Sequence, residues 1–203
     1  MYTLYGRPNS GSFAVQVALE EIGARYERIW VGQEPADLAR LRDISPTGRV
    51  PALRLPDGTV MFESAAMLIH LALTHPGLLP NTGRASNAVF LQWMVFLSAN
   101  VYESALRVYY SARYSARGEP DAESIRLQGS ADFCTHLGTI GRSLGPYVLG
   151  ADYCIADVYL HMLASRNPGE RSELLARVPQ LESHAKLVSA RPAVAKVEAD
   201  NAQ

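Results

Sequence analysis

The sequence predicts an α/β domain followed by an all-α domain, and three observations indicate this fold class. Strand-like and helix-like stretches alternate over residues 1 to about 75. A dense group of helix breakers follows, formed by His75-Pro76-Gly77 and Pro80-Asn81-Thr82-Gly83, and it marks a domain boundary. Beyond it only helical periodicity remains. We therefore expect one domain over residues 1–77 and a second over residues 84–203.

The first domain is predicted to contain four strands and three helices in the order β-α-β-α-β-β-α. Their expected ranges are residues 2–5, 13–22, 26–31, 35–42, 50–55, 59–62 and 64–75. Gly23 ends the first helix at a position that favours a left-handed residue. Asp57-Gly58 is a strong hairpin signal between the last two strands. Because a β-α-β unit requires a parallel pair and a hairpin an antiparallel one, the pattern predicts a mixed sheet.

The second domain is predicted to be entirely helical. Apolar residues recur at helical spacing from Ala85 to Tyr114, and a second long pattern runs from Asp121 to Leu144, where Gly145-Pro146 ends it. Shorter helices are expected over residues 156–165, 179–189 and 192–199. No internal repeat interrupts this order.

Composition excludes several classes of function. The net charge of the 203-residue chain is -1, which favours neither nucleic acid nor an anionic membrane as a partner. Cys134 and Cys154 lack the spacing of a metal site or a CxxC pair, so we expect no metal and no disulfide scaffold. No segment has the apolar length of a signal peptide or a membrane helix, and we expect a soluble cytoplasmic protein.

Ser10 and Ser12 lie where the first strand meets the first helix. A hydroxyl at this place caps unpaired backbone N–H groups in most proteins. The same helix end also stabilises an anion such as a thiolate, to which a serine hydroxyl could donate a hydrogen bond. The residue types leave both roles open.

Two further stretches raise the same choice between a structural and a binding role. Val50-Pro51 precedes a predicted strand; most such bonds are trans, but a cis bond would turn the Val50 backbone outward to pair with a peptide ligand. Ser64 is a suitable cap for the helix after the hairpin, and Glu63 is a solvated charge on the plainest interpretation. Alternatively, both could hold the charged end of an amino-acid ligand.

Taken together, these stretches resemble the glutathione S-transferase superfamily over essentially the whole chain. The resemblance rests on the motifs LYGRPNSGSFAVQVALEEIG, ISPTGRVPAL, PDGTVMFESAAMLIHLA and, in the helical half, ADYCIADVYL. The resemblance implies a thioredoxin-like N-terminal domain followed by a C-terminal helical bundle domain. It also implies a homodimer, with glutathione as a co-substrate and no metal.

The resemblance assigns glutathione-binding roles to seven residues. It places Ser10 beside the sulfur, Val50 on the cysteinyl main chain with Pro51 cis, and Glu63 with Ser64 on the γ-glutamyl group. Arg49 and Gln33 are weaker candidates for the glycyl carboxylate. Ser12 and Tyr5 are the alternatives to Ser10 for activating the thiol, since one gap in the alignment moves the serine and tyrosine-type members use a nearby hydroxyl.

The implied activity is a glutathione transferase with a role in detoxification. The thiolate would attack a small apolar electrophile held against the helical domain, where Tyr102, Tyr109, Tyr110 and Tyr114 are expected to form a wall; core packing is the alternative role for these rings. A glutathione-dependent isomerase of the maleylacetoacetate type is a second reading, although PNSGS lacks the cysteine usual in those enzymes. A non-catalytic glutathione-binding protein of the same fold is the third.

Overall fold

The computed structural model describes residues 1–80, 84–165 and 171–201. Contacts group the chain into two compact units, Met1–Asn81 with Ser189–Gln203, and Thr82–Val188. The C-terminal segment from Ser189 onward thus groups with the first unit. The division expected from the sequence places this segment in the second domain, residues 84–203. Asn81, Thr82 and Gly83 of the predicted boundary, and Ala202 with Gln203 at the end of the second domain, lie outside the described residues.

The first unit is built on the mixed sheet that the sequence predicts. Its strands are Tyr2–Gly6 (β1), Tyr26–Trp30 (β2), Ala52–Arg54 (β3) and Val60–Phe62 (β4), in the order β2-β1-β3-β4. β1 is parallel to β2 and antiparallel to β3, and β3 is antiparallel to β4. This is the thioredoxin-like arrangement.

Three helices of this unit accompany the sheet, two of them between strands and the third after β4. They are Ser12–Glu21 (α1), Pro35–Ile44 (α2) and Ser64–Thr74 (α3). α1 is buried from Ser12 to Leu19, and it packs against β1 and α3. Leu4, Leu19 and Leu53 are completely buried, and each such side chain contributes about 1.5–3 kcal/mol to folding.

The second unit is mostly helical among its described residues, with two isolated bridges, Tyr147–Gly150 and Leu149–Asp152, between helices. Its elements are Arg84–Phe96 (α4), a π-helical segment Leu97–Tyr102, Glu103–Tyr109 (α5), a 3-10 segment Ser111–Tyr114, Glu119–Ser143 (α6), Ile155–Ser165 (α7), Arg171–Arg177 (α8) and Gln180–Ser189 (α9). The short helix α8 was not expected from the sequence. Along the described part of the chain, no helix is long and apolar enough to cross a membrane.

The predicted helix over residues 85–114 is divided in the structure. The Ser104 hydroxyl donates to the Asn100 carbonyl at 2.6 Å and contacts His136 Nδ1 at 2.9 Å. A side chain that bonds to the preceding turn competes with the helical ladder, and the π-helical segment lies at this point. α5 then ends at Tyr109, and Tyr110 leaves helical geometry with φ -132°.

The buried carboxylate of Asp157 organises the start of α7. It accepts hydrogen bonds from the backbone N–H groups of Val148 at 2.7 Å and Cys154 at 2.8 Å, and it lies 2.9 Å from His184 Nε2. Burial raises the pKa of the Cys154 thiol. Cys154 is therefore an inert part of the core.

The last helix, Pro192–Asn201 (α10), packs on α1. The buried Gln16 side chain donates to Asp200 at 3.1 Å and to the Tyr26 hydroxyl at 3.2 Å. Tyr26 in turn donates to Glu20 at 2.6 Å. Arg191 forms a bidentate ion pair with Glu21, with both N–O distances 2.7 Å. These contacts fix α1 to both β2 and α10.

Candidate functional site

The strand registers bring the predicted glutathione-binding segments to one edge of the sheet. Tyr5 pairs with Ala52, and Ala52 pairs with Phe62, so the end of β1 lies beside the start of β3 and the end of β4. Gly6 pairs with Trp30, which adds the end of β2. The serine turn, the Val50-Pro51 segment, the Glu63-Ser64 segment and the loop carrying Gln33 all leave the sheet at this edge.

The serine turn is held together by hydroxyl groups and one backbone carbonyl. The Arg7 carbonyl oxygen accepts from Ser10 Oγ at 2.8 Å and from Ser12 Oγ at 3.0 Å. The two hydroxyl oxygens are 2.8 Å apart. Ser10 is half-buried, whereas Ser12 is completely buried. Ser10 is therefore the more accessible of the two hydroxyls.

Ser10 also satisfies the first turn of α1. Its Oγ accepts a hydrogen bond from the Ser12 N–H at 3.2 Å, and its carbonyl accepts one from the Phe13 N–H at 3.2 Å. The residue at the N-cap position is Gly11, which has no side chain to contribute. Ser10 thus supports the helix start while its hydroxyl stays at the positive end of the helix dipole.

Gly6 allows this turn to fold tightly against the end of β1. A Cβ atom at Gly6 would lie 2.5 Å from Ser12 Cβ and 2.6 Å from Ser12 Oγ. Real Cβ atoms do not approach other heavy atoms so closely, and hence only glycine fits at this place. The close approach sets the position of the hydroxyl pair.

The segment before β3 contains the cis peptide bond implied by the resemblance. Val50-Pro51 is cis, with Val50 half-buried and Pro51 buried. The Thr47 hydroxyl accepts from the Arg49 N–H at 3.4 Å and lies 3.1 Å from Ser45 Oγ. Arg49 is exposed, so its guanidinium is available to a ligand at this edge.

Glu63 is one of two non-glycine residues near this edge with a left-handed backbone, the other being Asn9 in the serine turn with φ 56°. The φ of Glu63 is 69°, a value that few residues other than glycine adopt. Such outliers concentrate at ligand-binding positions. The exposed Glu63 side chain precedes α3, whose first residue, Ser64, is buried. A carboxylate and the N-terminus of a helix therefore lie next to each other.

The remaining predicted residues differ in their surroundings. Tyr5 is 9% exposed and belongs to a buried cluster with Leu41 and Ala52, which suits a packing role better than thiol activation. Gln33 is exposed in the loop after β2. Ser10, Val50 and Glu63 are brought to the sheet edge by the register, whereas Tyr5 points into the apolar cluster.

Arg7 is a polar residue of this edge that the sequence analysis did not single out. Its Nη2 donates to the Gly32 carbonyl at 3.1 Å, which ties the loop after β2 to the serine turn. Its Nε atom is buried and has no hydrogen-bond partner among the described residues. The sequence feature that could have indicated Arg7 is its position as a cation shortly after the first predicted strand and before Pro8.

The predicted electrophile residues lie in the second unit. Tyr102 is half-buried, and its ring packs edge-to-face on the buried Tyr159 with the centroids 6.3 Å apart. Tyr109 and Tyr110 are 54% and 46% exposed at the end of α5. Tyr102 therefore contributes to packing, while Tyr109 and Tyr110 present their rings at the surface of the unit.

Comparisons with known proteins agree with this architecture. Residues 12–74 match the family model described as glutathione S-transferase, N-terminal domain. An uncharacterized GST-like protein of Escherichia coli K12, YncG, is 29% identical over 175 residues, which cover 83% of each chain. Glutathione S-transferase GstA of Escherichia coli O157:H7 is 25% identical over 77% of this chain and 78% of its own.

A solved structure is similar over nearly the whole length. A glutathione transferase homologue from Sulfitobacter, crystallised with bound glutathione, superposes with a TM-score of 0.87 and 28% sequence identity, covering 98% of both chains. A TM-score of 0.87 indicates that the two proteins share a fold. The chain is thus similar to glutathione S-transferases, through the family model over residues 12–74 and through its relatives and this structure over most of its length.

Proposed function

We propose that this protein is a glutathione transferase that joins the glutathione thiolate to small apolar electrophiles. The observation that carries the proposal is the convergence of the serine turn, Val50 and Glu63-Ser64 at one sheet edge, set by the pairs Tyr5–Ala52 and Ala52–Phe62. Two helices, α1 and α3, begin at that edge. The glutathione bound to the Sulfitobacter homologue supports the same assignment.

Glutathione binding follows from the charges and backbone groups at this edge. Glu63 binds the α-ammonium group, while the N-terminus of α3 with Ser64 takes the α-carboxylate. The Val50 backbone pairs with the cysteinyl main chain as an added strand does. Arg49 and Gln33 are assigned to the glycyl carboxylate. This orientation leaves the thiol at the serine turn.

The hydrogen bonds of the serine turn suggest how Ser10 is released to stabilise the thiolate. Three contacts join Ser10 Oγ, Ser12 Oγ and the Arg7 carbonyl, but two hydroxyl groups carry only two protons. When Ser10 donates to the sulfur, Ser12 can still donate to the Arg7 carbonyl. Ser10 is therefore the thiolate partner, and buried Ser12 is a positioning residue.

The chemical step is a nucleophilic substitution or addition by the thiolate. The dipole of α1 and the Ser10 hydrogen bond lower the pKa of the glutathione thiol, so its proton leaves to solvent before the attack. In substitution, the sulfur–carbon bond forms while the leaving group departs with its electron pair. The protein stabilises the anion and orients it; it supplies no redox equivalents.

The proposal is tested by measuring binding and conjugation separately. Glutathione affinity is measured by calorimetry, and conjugation of chlorodinitrobenzene is followed by absorbance. Ser10→Ala is expected to lower kcat/KM by about tenfold to a hundredfold, because one charge-assisted hydrogen bond to the thiolate is lost. Glutathione affinity should change much less. Ser12→Ala should have a smaller effect on kcat/KM, and the exposed Ser124→Ala on α6 is the matched control.

The outcomes separate the alternatives. Absence of glutathione binding by the wild-type protein would exclude the whole assignment. Binding without conjugation of any electrophile would indicate a non-catalytic glutathione-binding protein. Equal activity of Ser10→Ala and Ser124→Ala would remove Ser10 from the mechanism while leaving the transferase function in place.

A further inference from the structure

The Arg7 side chain has an unusual environment for an arginine. It is half-buried directly after β1, and its Nη2 donates to the Gly32 carbonyl at 3.1 Å. Its Nε atom is buried and finds no acceptor in the part of the chain that the structure describes. Buried donors are paired in most proteins, so this guanidinium is not a fully satisfied structural group.

The charge of Arg7 is also without an acidic partner. Within residues 1–80, 84–165 and 171–201, the ion pairs of the structure involve other cationic side chains and none involves Arg7. Asp37, in the first turn of α2, lies next to Gly32, yet it forms no ion pair with Arg7. Removing a charge from water costs free energy unless an opposite charge compensates it. A carboxylate on a ligand would supply that compensation.

Opposite charges occupy the two sides of the sheet edge. The strand order β2-β1-β3-β4 places Glu63, which follows β4, on one side, and Arg7 with the loop after β2 on the other. Neighbouring strands are about 4.8 Å apart, so β4 and β1 are separated by about 10 Å. An extended tripeptide spans a similar length, about 10 Å. Glutathione whose γ-glutamyl end lies at Glu63 therefore extends its glycyl carboxylate towards Arg7.

We propose that Arg7 binds the glycyl carboxylate of glutathione and makes the site specific for a tripeptide whose carboxylate at this end is free. The inference rests on the proposed function and adds a specificity-determining residue to its glutathione site. The bond to Gly32 holds the guanidinium in place before the ligand binds, so little side-chain entropy is lost on binding. Gln33, exposed in the same loop, supplies a second donor from its amide.

Arg49 is the other arginine of this edge, and its environment differs from that of Arg7. Its side chain is exposed, whereas that of Arg7 is half-buried. Water and salt screen the charge of an exposed side chain more strongly than that of a partly buried one. Arg7 therefore contributes more than Arg49 to recognition of the carboxylate.

The test compares glutathione with its glycyl ethyl ester, which lacks the negative charge at this end. Calorimetry measures the affinity of the wild-type protein for both compounds. Glutathione is expected to bind about tenfold more tightly than the ester, the effect of one charge-assisted hydrogen bond. Arg7→Gln should abolish this preference by weakening the binding of glutathione alone. Equal weakening of both compounds would overturn the inference, because it would show that Arg7 only maintains the shape of the turn.

Three further variants control for the charge and its position. Arg7→Lys is expected to retain part of the preference, because a point charge replaces the planar fork. Arg49→Gln should reduce the preference less than Arg7→Gln does. Arg25→Gln removes an exposed arginine just before β2, at the opposite edge of the sheet, and should leave the preference unchanged. A preference that survives in Arg7→Gln and disappears in Arg49→Gln would assign the carboxylate to Arg49 and overturn the inference.

These binding measurements separate the inference from the proposed function, because they do not depend on catalysis. If the wild-type protein shows the preference, Arg7→Gln loses it and no electrophile is conjugated, the role of Arg7 is supported while the transferase function fails. If chlorodinitrobenzene is conjugated but glutathione and its ester bind equally well to the wild-type protein, the transferase function stands and the role of Arg7 is overturned. Failure of the wild-type protein to bind either compound would contradict both.

Discussion

The two ends of helix α1 are held in place by different kinds of contact. At its start, the hydroxyls of Ser10 and Ser12 bond to Arg7, no more than five residues away. Further along the helix, Gln16 and Glu21 bind residues that follow them by 184 and 170 positions. The site end is therefore built from local contacts, whereas the rest of the helix is anchored by the far end of the chain.

The position of the serine turn therefore depends on two separate sets of contacts. Gly6 and the hydroxyl pair determine the shape of the turn itself. α10 fixes the helix from which the turn extends, through buried Gln16 and the half-buried pair of Arg191 with Glu21. Substitutions at the two ends should consequently affect ligand binding and stability in different proportions.

The largest effect is expected from Gly6→Ala at the site end. The new Cβ would lie 2.5 Å from Ser12 Cβ, so the turn must move. We expect glutathione affinity to fall at least about tenfold and the free energy of unfolding to fall by about 1–3 kcal/mol. Calorimetry and urea denaturation measure the two quantities.

Gly138→Ala is the matched control for that substitution. On helix α6, a Cβ at Gly138 would have its nearest neighbour at 3.8 Å, and alanine is the better helix former. This variant should bind glutathione normally and lose no stability. Normal glutathione affinity in Gly6→Ala would show that the turn tolerates displacement, and it would contradict the role given to Gly6.

The elements of the first unit were predictable because their signals are local. Each predicted strand and helix of residues 1–75 lies within two residues of its observed bounds. Gly23 and Asp57-Gly58 mark chain reversals that depend only on neighbouring residues. The break near Asn100 was not predictable from periodicity, since it coincides with a side-chain hydrogen bond from Ser104.

The contacts of α10 and the role of Arg7 could not be predicted from the sequence for different reasons. Glu21 and Arg191 are separated by 170 residues, and in the sequence each has the pattern of an ordinary surface charge. Arg7 is a lone cation, and its significance comes from a buried Nε and a bond to Gly32 that only the folded chain shows. Long-range pairing and burial are properties of the tertiary structure.

Gln16→Leu changes the part of α1 that α10 anchors. We expect it to lower glutathione affinity less than Gly6→Ala does and to lower the stability of the protein clearly. The side chain is 1% exposed, and leucine would leave Asp200 and Tyr26 without its hydrogen bonds. We expect the free energy of unfolding to fall by about 1–3 kcal/mol, with less loss of glutathione affinity than in Gly6→Ala. Urea denaturation and calorimetry again give the two values.

The control for Gln16→Leu is Gln128→Leu on the exposed face of α6, where the amide donates to Asp132 at 2.7 Å. Because water replaces an exposed hydrogen bond, the expected change in stability is within about 0.5 kcal/mol. Similar losses in the two variants would show that the contacts of α10 with α1 add nothing beyond an ordinary surface contact.

The smallest effect is a change of stability with pH that is confined to the anchored end. Burial, followed by the hydrogen bond to Glu20, raises the pKa of Tyr26 to about 12 from the ordinary value of 10.0. Between these values the unfolded chain loses a proton that the folded chain keeps. The unfolded state then binds fewer protons, so the free energy of unfolding falls as pH rises from 10 to 12.

Urea denaturation at several alkaline pH values, in the wild-type protein and in Tyr26→Phe, measures this contribution. The free energy of unfolding of the variant should decline less steeply with pH than that of the wild type. The difference between the two slopes should correspond to less than one proton, because partial exposure weakens the effect. Burial also raises the pKa of Tyr2, but Tyr2 is present in both proteins and contributes equally to their slopes. Tyr109→Phe removes an exposed tyrosine and should show the same decline as the wild type. An identical decline in wild type and Tyr26→Phe would contradict the link. Since serine hydroxyls do not ionise in this range, alkaline pH should weaken the contact between α1 and β2 at Tyr26 before it alters the serine turn.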